Sequence, residues 1–179
     1  TIRERISVLW SLKRDPYNTF RKQRVWNKKH GVPAIYFMLW SNFGPRDRNV
    51  SPYSTEAAKK LREISDWATV GIHPSYQSGT DANQVGEEIK SLQEVLRRPI
   101  AVSRQHYLKM KMPITLRQLV DLGITDEHSM GYAELAGFRA SLCTPFTFYD
   151  LELEAELPLR IHPFAFMDTT FMDYANLVP

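Results

Sequence analysis

Short apolar segments alternate with amphipathic segments along most of the chain. The apolar segments are rich in β-branched and aromatic residues, as strands are, while between them apolar residues recur at the helical spacing of three or four. Since strands and helices alternate, the pattern predicts an α/β fold with a mainly parallel sheet and right-handed crossovers. The predicted strands are Ile35–Trp40, Thr69–His73, Ile100–His106, Ile124–Ser129, Phe138–Ser141 and Leu159–His162. The predicted helices are Thr1–Lys13, Pro16–His30, Thr55–Ala68, Asn83–Arg97 and Pro113–Leu122.

Local signals mark some of the boundaries. Asp15-Pro16 combines an N-cap residue with a proline in the first helical turn, and His30-Gly31 is typical of a helix end. The segment Ser41–Tyr53 is rich in Gly, Pro, Asn and charged residues, which predicts an exposed loop.

Four of the five histidines lie at or near the ends of predicted strands. His73, His106 and His162 are the last residues of their strands, and His128 is one residue from the end of another. Parallel strands point their carboxyl ends in the same direction, and active sites of α/β proteins are built at that edge. The sequence therefore predicts four imidazoles gathered at one rim of the sheet.

Length and composition indicate one domain over residues 1–179. The 179 residues are 43% hydrophobic, which is enough for a single core. No apolar run approaches the roughly 20 residues of a membrane-spanning helix, and no secretory signal is visible, so a cytoplasmic location is favoured. The chain starts at Thr1 rather than Met, and we expect the domain to be truncated at its N-terminus. The oligomeric state stays open.

Charge and cysteine content narrow the chemistry. The net charge of +3 comes largely from the segment Arg3–Lys29, where a solvated helix face is preferred to a nucleic-acid surface. The single cysteine, Cys143, excludes an internal disulfide and a cysteine-based zinc site. Any metal ion would therefore be held by histidines and carboxylates.

Four groups of residues follow one another at strand ends and in the loops beyond them. They are Gly71-Ile72-His73-Pro74-Ser75-Tyr76, then Ser103-Arg104-Gln105-His106-Tyr107-Leu108-Lys109, then Ser129-Met130-Gly131-Tyr132 with Gly137-Phe138-Arg139-Ala140, and finally Pro163-Phe164 with Met167-Asp168. In order and spacing they resemble a bacterial branch of the polysaccharide deacetylase family, the NodB-homology or carbohydrate esterase family 4 proteins. The resemblance covers most of the chain from Asp15 onward.

This resemblance implies an incomplete or distorted (β/α)7 barrel that removes acetyl groups from an N- or O-acetylated glycan. The reaction implied needs a divalent ion, for which we expect Zn²⁺, held by two histidines and one carboxylate. The ion polarises the carbonyl and activates a water molecule, a carboxylate base takes the proton of that water, and a second group protonates the leaving amine.

The chain departs from the family pattern in two places. His73 fills the first position of the family's His-x-x-x-His motif, but Gln77 occupies the second. The family's opening strand, which ends in paired aspartates, is also missing, and we expect it upstream of Thr1. The fold is therefore expected, whereas the chain as given is expected to bind metal weakly and to have little or no deacetylase activity.

Each histidine has a structural alternative. We assign His73 and His106 to the metal, although His73 could instead tie down its loop, and His106 could equally bond to a neighbouring strand. His162 resembles the histidine of the family's Leu-x-His motif, which serves as general acid, but its setting also suits a capped core residue. His128 is expected only to flank the site.

Two arginines complete the candidate catalytic set. Arg104 precedes His106 by two residues, so both side chains face the same side of their strand and need polar partners there. Arg139 could orient a site carboxylate, but a structural ion pair in the interior is preferred.

Three further residues are candidates for binding the glycan. Trp40 and Tyr76 lie near the predicted rim, where aromatic rings could stack on a sugar, and Ser75 precedes Tyr76 in the same motif. Two functions remain open: a metal-dependent deacetylase, or a catalytically degenerate barrel that binds carbohydrate or an anion without turnover. No glycan can be named from the sequence.

Overall fold

The computed structural model describes residues 2–10, 12–42, 44–78 and 81–174. The predicted helix Thr1–Lys13 falls partly outside this part of the chain, because Thr1 and Ser11 are not among the described residues. The helices are α1 (Ile2–Leu9), α2 (Phe20–His30), α3 (Thr55–Ser65), α4 (Ala82–Leu96) and α5 (Ile114–Asp121). The strands are β1 (Ile35–Met38), β2 (Thr69–Ile72), β3 (Val102–Ser103), β4 (Asp126–Met130), β5 (Phe146–Asp150) and β6 (Ala155–Pro163).

The strands form one mainly parallel sheet in the order β1-β2-β3-β4-β6-β5. Only the edge pairing of β5 with β6 is antiparallel among the described strands. The two edge strands β1 and β5 do not pair with each other within this part of the chain, so the sheet stays open. The α/β class and the incomplete barrel expected from the sequence are thereby confirmed.

One face of the sheet carries the hydrophobic core. Helices α3 and α4 pack on β2, and α5 packs on β6. Because successive strand residues point to opposite faces, Val70 and Ile72 of β2 turn toward these helices, whereas Gly71 and His73 turn to the other side, here called the open face. The core is formed by apolar residues of the helices and of the helix-facing strand positions, among them Leu61, Ile64, Leu92, Leu116, Leu119, Leu159 and Ile161.

The helix boundaries follow local capping. Ser54 and Asp81 accept hydrogen bonds from the first backbone N–H groups of α3 and α4, and Gly31 ends α2 in the left-handed conformation, as predicted. The predicted start of α2 at Pro16 is wrong, since Asp15 accepts from Tyr17 N in a separate turn and the helix begins only at Phe20.

The strand predicted at Phe138–Ser141 is also wrong. Gly137 has φ +136° and Ser141 has φ +56°, and this segment turns instead of extending. The strand that precedes β6 is β5, in which Phe146 and Phe148 pack against the core. None of the helices in the described part of the chain is long and apolar enough to cross a membrane.

An ion pair ties the antiparallel edge to the helix layer. Arg117 of α5 donates from Nε and Nη2 to the two oxygens of Asp150, at 2.5 and 2.7 Å. Asp150 also accepts from the backbone N–H groups of Glu152 and Leu153, which shapes the turn between β5 and β6. This bidentate geometry favours arginine over lysine at position 117.

We expect Gly71→Ala to lower the free energy of unfolding by about 1–3 kcal/mol. A Cβ at this position would lie 2.6 Å from the carbonyl oxygen of Val102 and 3.0 Å from the Phe37 ring, and backbone cannot move aside cheaply. Urea denaturation measures the change.

The matched control is Gly86→Ala in α4. Its Cβ would lie 3.2 Å from the end of the Leu122 side chain, which can shift, and alanine favours the helix by about 1 kcal/mol. If Gly71→Ala were as stable as this control, the close approach of β1, β2 and β3 on the open face would be contradicted.

Candidate active site

Four imidazoles lie beyond or within the carboxyl-terminal parts of four parallel strands, and they form two pairs. His73 follows β2 and His106 opens the turn after β3, and their ring centroids are 4.8 Å apart. His128 of β4 and His162 of β6 stack with centroids 4.2 Å apart and planes 8° apart. Each pair joins residues from two different strands, as the sequence placement requires.

The His73 ring is anchored by the backbone. Its Nδ1 lies 2.5 Å from the carbonyl oxygen of Arg104, which can only accept, so Nδ1 carries the proton. Burial lowers the pKa of His73 to about 4, which keeps the ring neutral near pH 7. The Nε2 lone pair is therefore left for a ligand.

The His106 ring is anchored by a carboxylate distant in sequence. Its Nδ1 lies 3.0 Å from Oδ1 of Asp47, which also accepts from the backbone N–H of Tyr76 at 2.8 Å. Asp47 is only 3% exposed. A Cβ at Gly44 would lie 2.8 Å from the Asp47 carboxylate, so this loop needs glycine there.

Asp47 is the main site residue that the sequence did not indicate. It lies in the segment Ser41–Tyr53, which composition assigned to an exposed loop, and its partners follow other strands. No periodic pattern links it to His106. A weak signal was the presence of a single aspartate among the arginines Arg46 and Arg48.

The two rings share one feature with metal-binding histidines. Histidines that bind metals almost always donate their second ring nitrogen to a carbonyl or carboxylate, as His73 and His106 both do here. The two imidazoles thus fit a divalent ion. Within the described ranges, however, no third His, Cys, Asp or Glu joins them in a group that could hold a metal.

The second pair contains an aspartate–histidine dyad. Nε2 of His162 donates to Oδ1 of Asp126 at 2.6 Å, and the hydroxyl of Thr125 donates to the other oxygen at 2.7 Å. Burial raises the pKa of Asp126, but these two hydrogen bonds outweigh it and leave the pKa below its usual range. The carboxylate is therefore ionised and orients the His162 ring. Asp126 is two residues from His128, so strand periodicity could have identified it.

His128 supports the dyad as a neutral ring. Burial lowers its pKa to about 4, and the charge of His162 acts in the same direction. Its other face meets Phe37 of β1 at a centroid distance of 5.3 Å. His128 therefore stacks on His162 as an uncharged ring.

Arg104 connects the two pairs. Its backbone oxygen holds His73, while its guanidinium donates to the backbone oxygen of His128 at 3.0 Å and lies over the Phe164 ring at 4.2 Å. Burial lowers the pKa of Arg104, opposed by the attraction of Glu127 and Asp168. Arg104 therefore positions His73 through its backbone oxygen and His128 through its guanidinium.

Of three other predicted site residues, two are buried away from the rim and the third is exposed. Trp40 is 1% exposed and donates its indole N–H to Ser91 of α4, so its ring is part of the core rather than of the rim. Ser75 is 3% exposed and is bound within its own loop and to Glu88, so it too is inside the protein. Arg139 is exposed, not interior as the ion-pair interpretation required.

Tyr76 is the predicted glycan-binding residue that lies beside the His73–His106 pair. It is half-buried, meets the Tyr107 ring edge-on at 5.5 Å, and has the cations of Arg46 and Lys109 each 4.2 Å from its centroid. The Tyr107 ring in turn lies tilted against the His106 ring, with their centroids 4.6 Å apart.

Two hollows open at the surface of the described structure, one of them beside Tyr107. One, of about 270 Å³, lies between the segment 107–108 and the loop 131–139 and is lined by Tyr107, Tyr132 and Arg139. The other, of about 800 Å³, lies between the loop after β1 and helices α3 and α4, and Glu87, Glu88 and Glu94 line it. The first hollow adjoins the turn that carries His106.

Comparison with known proteins supports the fold alone. No family model and no curated protein matches the sequence. A solved structure from Mycobacterium smegmatis, described as a "putative polysaccharide deacetylase", superimposes with a TM-score of 0.56 at 14% sequence identity. The match covers 82% of this chain and 45% of the other, so the present chain spans less than half of that protein's length.

Glu127 lies between Asp126 and His128 of β4 and faces the helices. Its burial predicts that the stability of the protein depends on pH. It is fully buried, and burial raises its pKa to about 7. The folded protein thus keeps a proton that the unfolded chain releases above about pH 4.5. The contribution of Glu127 to the free energy of unfolding is fully present below about pH 4.5 and is lost as the pH rises through 7.

We therefore expect Glu127→Gln to gain stability relative to the parent by up to about 3 kcal/mol between pH 4 and pH 8. Urea denaturation of both proteins at several pH values measures this difference. The contributions of His73 and His128 are common to both and cancel. A difference that stays constant over this range would contradict the buried carboxyl.

Proposed function

We propose that this protein is a carbohydrate deacetylase of the polysaccharide deacetylase type, which hydrolyses acetyl groups on an N- or O-acetylated glycan. The observation that carries the proposal is the geometry of His73 and His106. In both rings Nδ1 is bonded to an oxygen acceptor and Nε2 is left for a ligand. The two ring centroids are 4.8 Å apart. The shared fold of the mycobacterial protein agrees with it.

His73 and His106 would hold the divalent ion, which supplies Lewis-acid activation of water and of the acetyl carbonyl. Their own contribution is orientation. The Arg104 carbonyl and the Asp47 carboxylate each hold Nδ1 of one ring, and so orient both rings.

The proton-transfer group is His162. Asp126 holds its Nε2–H and stabilises the charged ring, which leaves Nδ1 to give a proton to the leaving amine or alcohol. Tyr107 lies beside His106 and is exposed, so its aromatic ring is available for a sugar ring to stack on.

A second function is favoured by one specific observation. No third metal-binding side chain joins the imidazole pair in the described part of the chain, and Gln77 stands at the position where the resemblance calls for histidine. A barrel with this imidazole pair could bind a carbohydrate or an anion without turnover. Acetate release separates the two functions, since the binding protein would retain the oligosaccharide but leave its acetyl groups intact.

We expect chain 1–179 to bind Zn²⁺ more weakly than micromolar and to release acetate slowly from a chitooligosaccharide or acetylated xylan. A missing ligand weakens binding, and a missing base costs roughly 10²–10⁴ in rate. The slow release should depend on added Zn²⁺ and fall to background in His73→Ala and His162→Ala. Calorimetry and an acetate assay measure both.

The matched control is His30→Ala, which removes an exposed histidine at the end of α2. It should change neither zinc binding nor acetate release. Oligosaccharide binding with no acetate above background would reject the hydrolase in favour of the binding protein. Tight stoichiometric zinc binding with fast turnover would show instead that another carboxylate, such as Asp168, completes the site.

A further inference from the structure

The turn that carries His106 begins with a hydrogen bond to a side chain instead of to a strand. The backbone ladder between β3 and β4 ends at the pairing of Ser103 with Glu127. One step further, the N–H of Gln105 donates to the hydroxyl oxygen of Ser129 at 2.7 Å. A serine of β4 therefore takes the place of a backbone acceptor.

That serine is itself held by a buried carboxylate. Ser129 donates its backbone N–H to Oε2 of Glu127 at 2.8 Å, and its hydroxyl donates to Oε1 of the same residue. A hydroxyl has one proton and two lone pairs, so giving the proton to Glu127 leaves an oxygen that accepts from Gln105. The Gln105 N–H can only donate, so Ser129 Oγ accepts from it in either protonation state of Glu127.

The turn beyond Gln105 is strained. Tyr107 and Leu108 have φ +56° and +51°, two consecutive non-glycine residues in the left-handed region. Such conformations persist only where surrounding contacts impose them. The Gln105 bond to Ser129 is the last tertiary backbone contact before this turn, and Leu108 N returns to Gln105 O at 3.0 Å.

We infer that Glu127 and Ser129 are positioning residues for His106: they hold Gln105, and through it the strained turn that directs the His106 ring toward Asp47 and His73. The inference rests on the proposed function only in treating His106 as a site residue. It assigns a task to the one fully buried carboxylate on the helix-facing side of β4.

Packing alone does not account for this carboxylate. Glu127 has no exposed surface and lies beside Ile161, its register partner in β6. A neutral or apolar side chain would fill this place at a lower desolvation cost. The neighbouring Ser103 on the same face shows the contrast, since its hydroxyl has no hydrogen-bond partner among the described residues.

Ser129→Ala tests the relay, with Ser103→Ala as the matched control. Both serines are fully buried on the same face of adjacent strands, but only Ser129 holds Gln105. In Ser129→Ala we expect amide hydrogen exchange at Gln105 to be about tenfold faster. We also expect the Nδ1–H signal of His106 in long-range ¹H–¹⁵N spectra to weaken or average. Ser129→Thr, which keeps the hydroxyl, should restore both, and Ser103→Ala should change neither.

Glu127→Gln is the milder variant if Ser129→Ala does not fold. One acceptor oxygen remains, so exchange at Gln105 should lie between the parent and Ser129→Ala values. An unchanged His106 signal in whichever of these variants folds, or an equal change in Ser103→Ala, would overturn the inference. All readouts are made without metal or substrate, so an absence of acetate release would reject the proposed hydrolase and leave this result standing.

Discussion

Covering the sheet with helices on one face separates the two sets of side chains on each strand. Positions that turn toward α3, α4 and α5 are filled by residues such as Ile72 and Ile161, both fully buried. The alternate positions need not be apolar, because no helix of the described chain covers them. His73, His128 and His162 occupy these alternate positions. The polar site is thus a consequence of the same two-residue period that builds the core.

The orientation of the site depends on oxygen acceptors rather than on packing. Each of three imidazoles has one nitrogen bound to an oxygen of fixed position: a carbonyl for His73, and carboxylates for His106 and His162. The carbonyl that accepts from His73 favours a protonated ring, but burial outweighs it and keeps the pKa of His73 at about 4, so this ring stays neutral. A neutral ring keeps a nitrogen lone pair, which suits His73 for binding a ligand.

Sequence patterns predicted those parts of the fold that depend on local periodicity. The parallel strands, the helices between them and the histidines at their ends follow from alternation and helical spacing. The pattern failed where position depends on the folded chain. Phe138–Ser141 has strand-like composition but turns, while β5 is held by its pairing with β6 and by Arg117. Trp40 was assigned to the rim, although its ring is buried and bonds to Ser91 of α4.

The site illustrates the same limit in chemical terms. Histidines could be assigned to the rim because each ends or nearly ends a strand, but the groups that fix them come from elsewhere. Asp47, which bonds to His106, lies in a loop 59 residues away in sequence. Arg104 holds His73 through a backbone oxygen, and a pattern of side chains cannot predict a backbone contact. Sequence therefore predicts which imidazoles can meet. Only the fold shows which nitrogen each presents, and that determines whether the cluster can bind an ion, move a proton, or do neither.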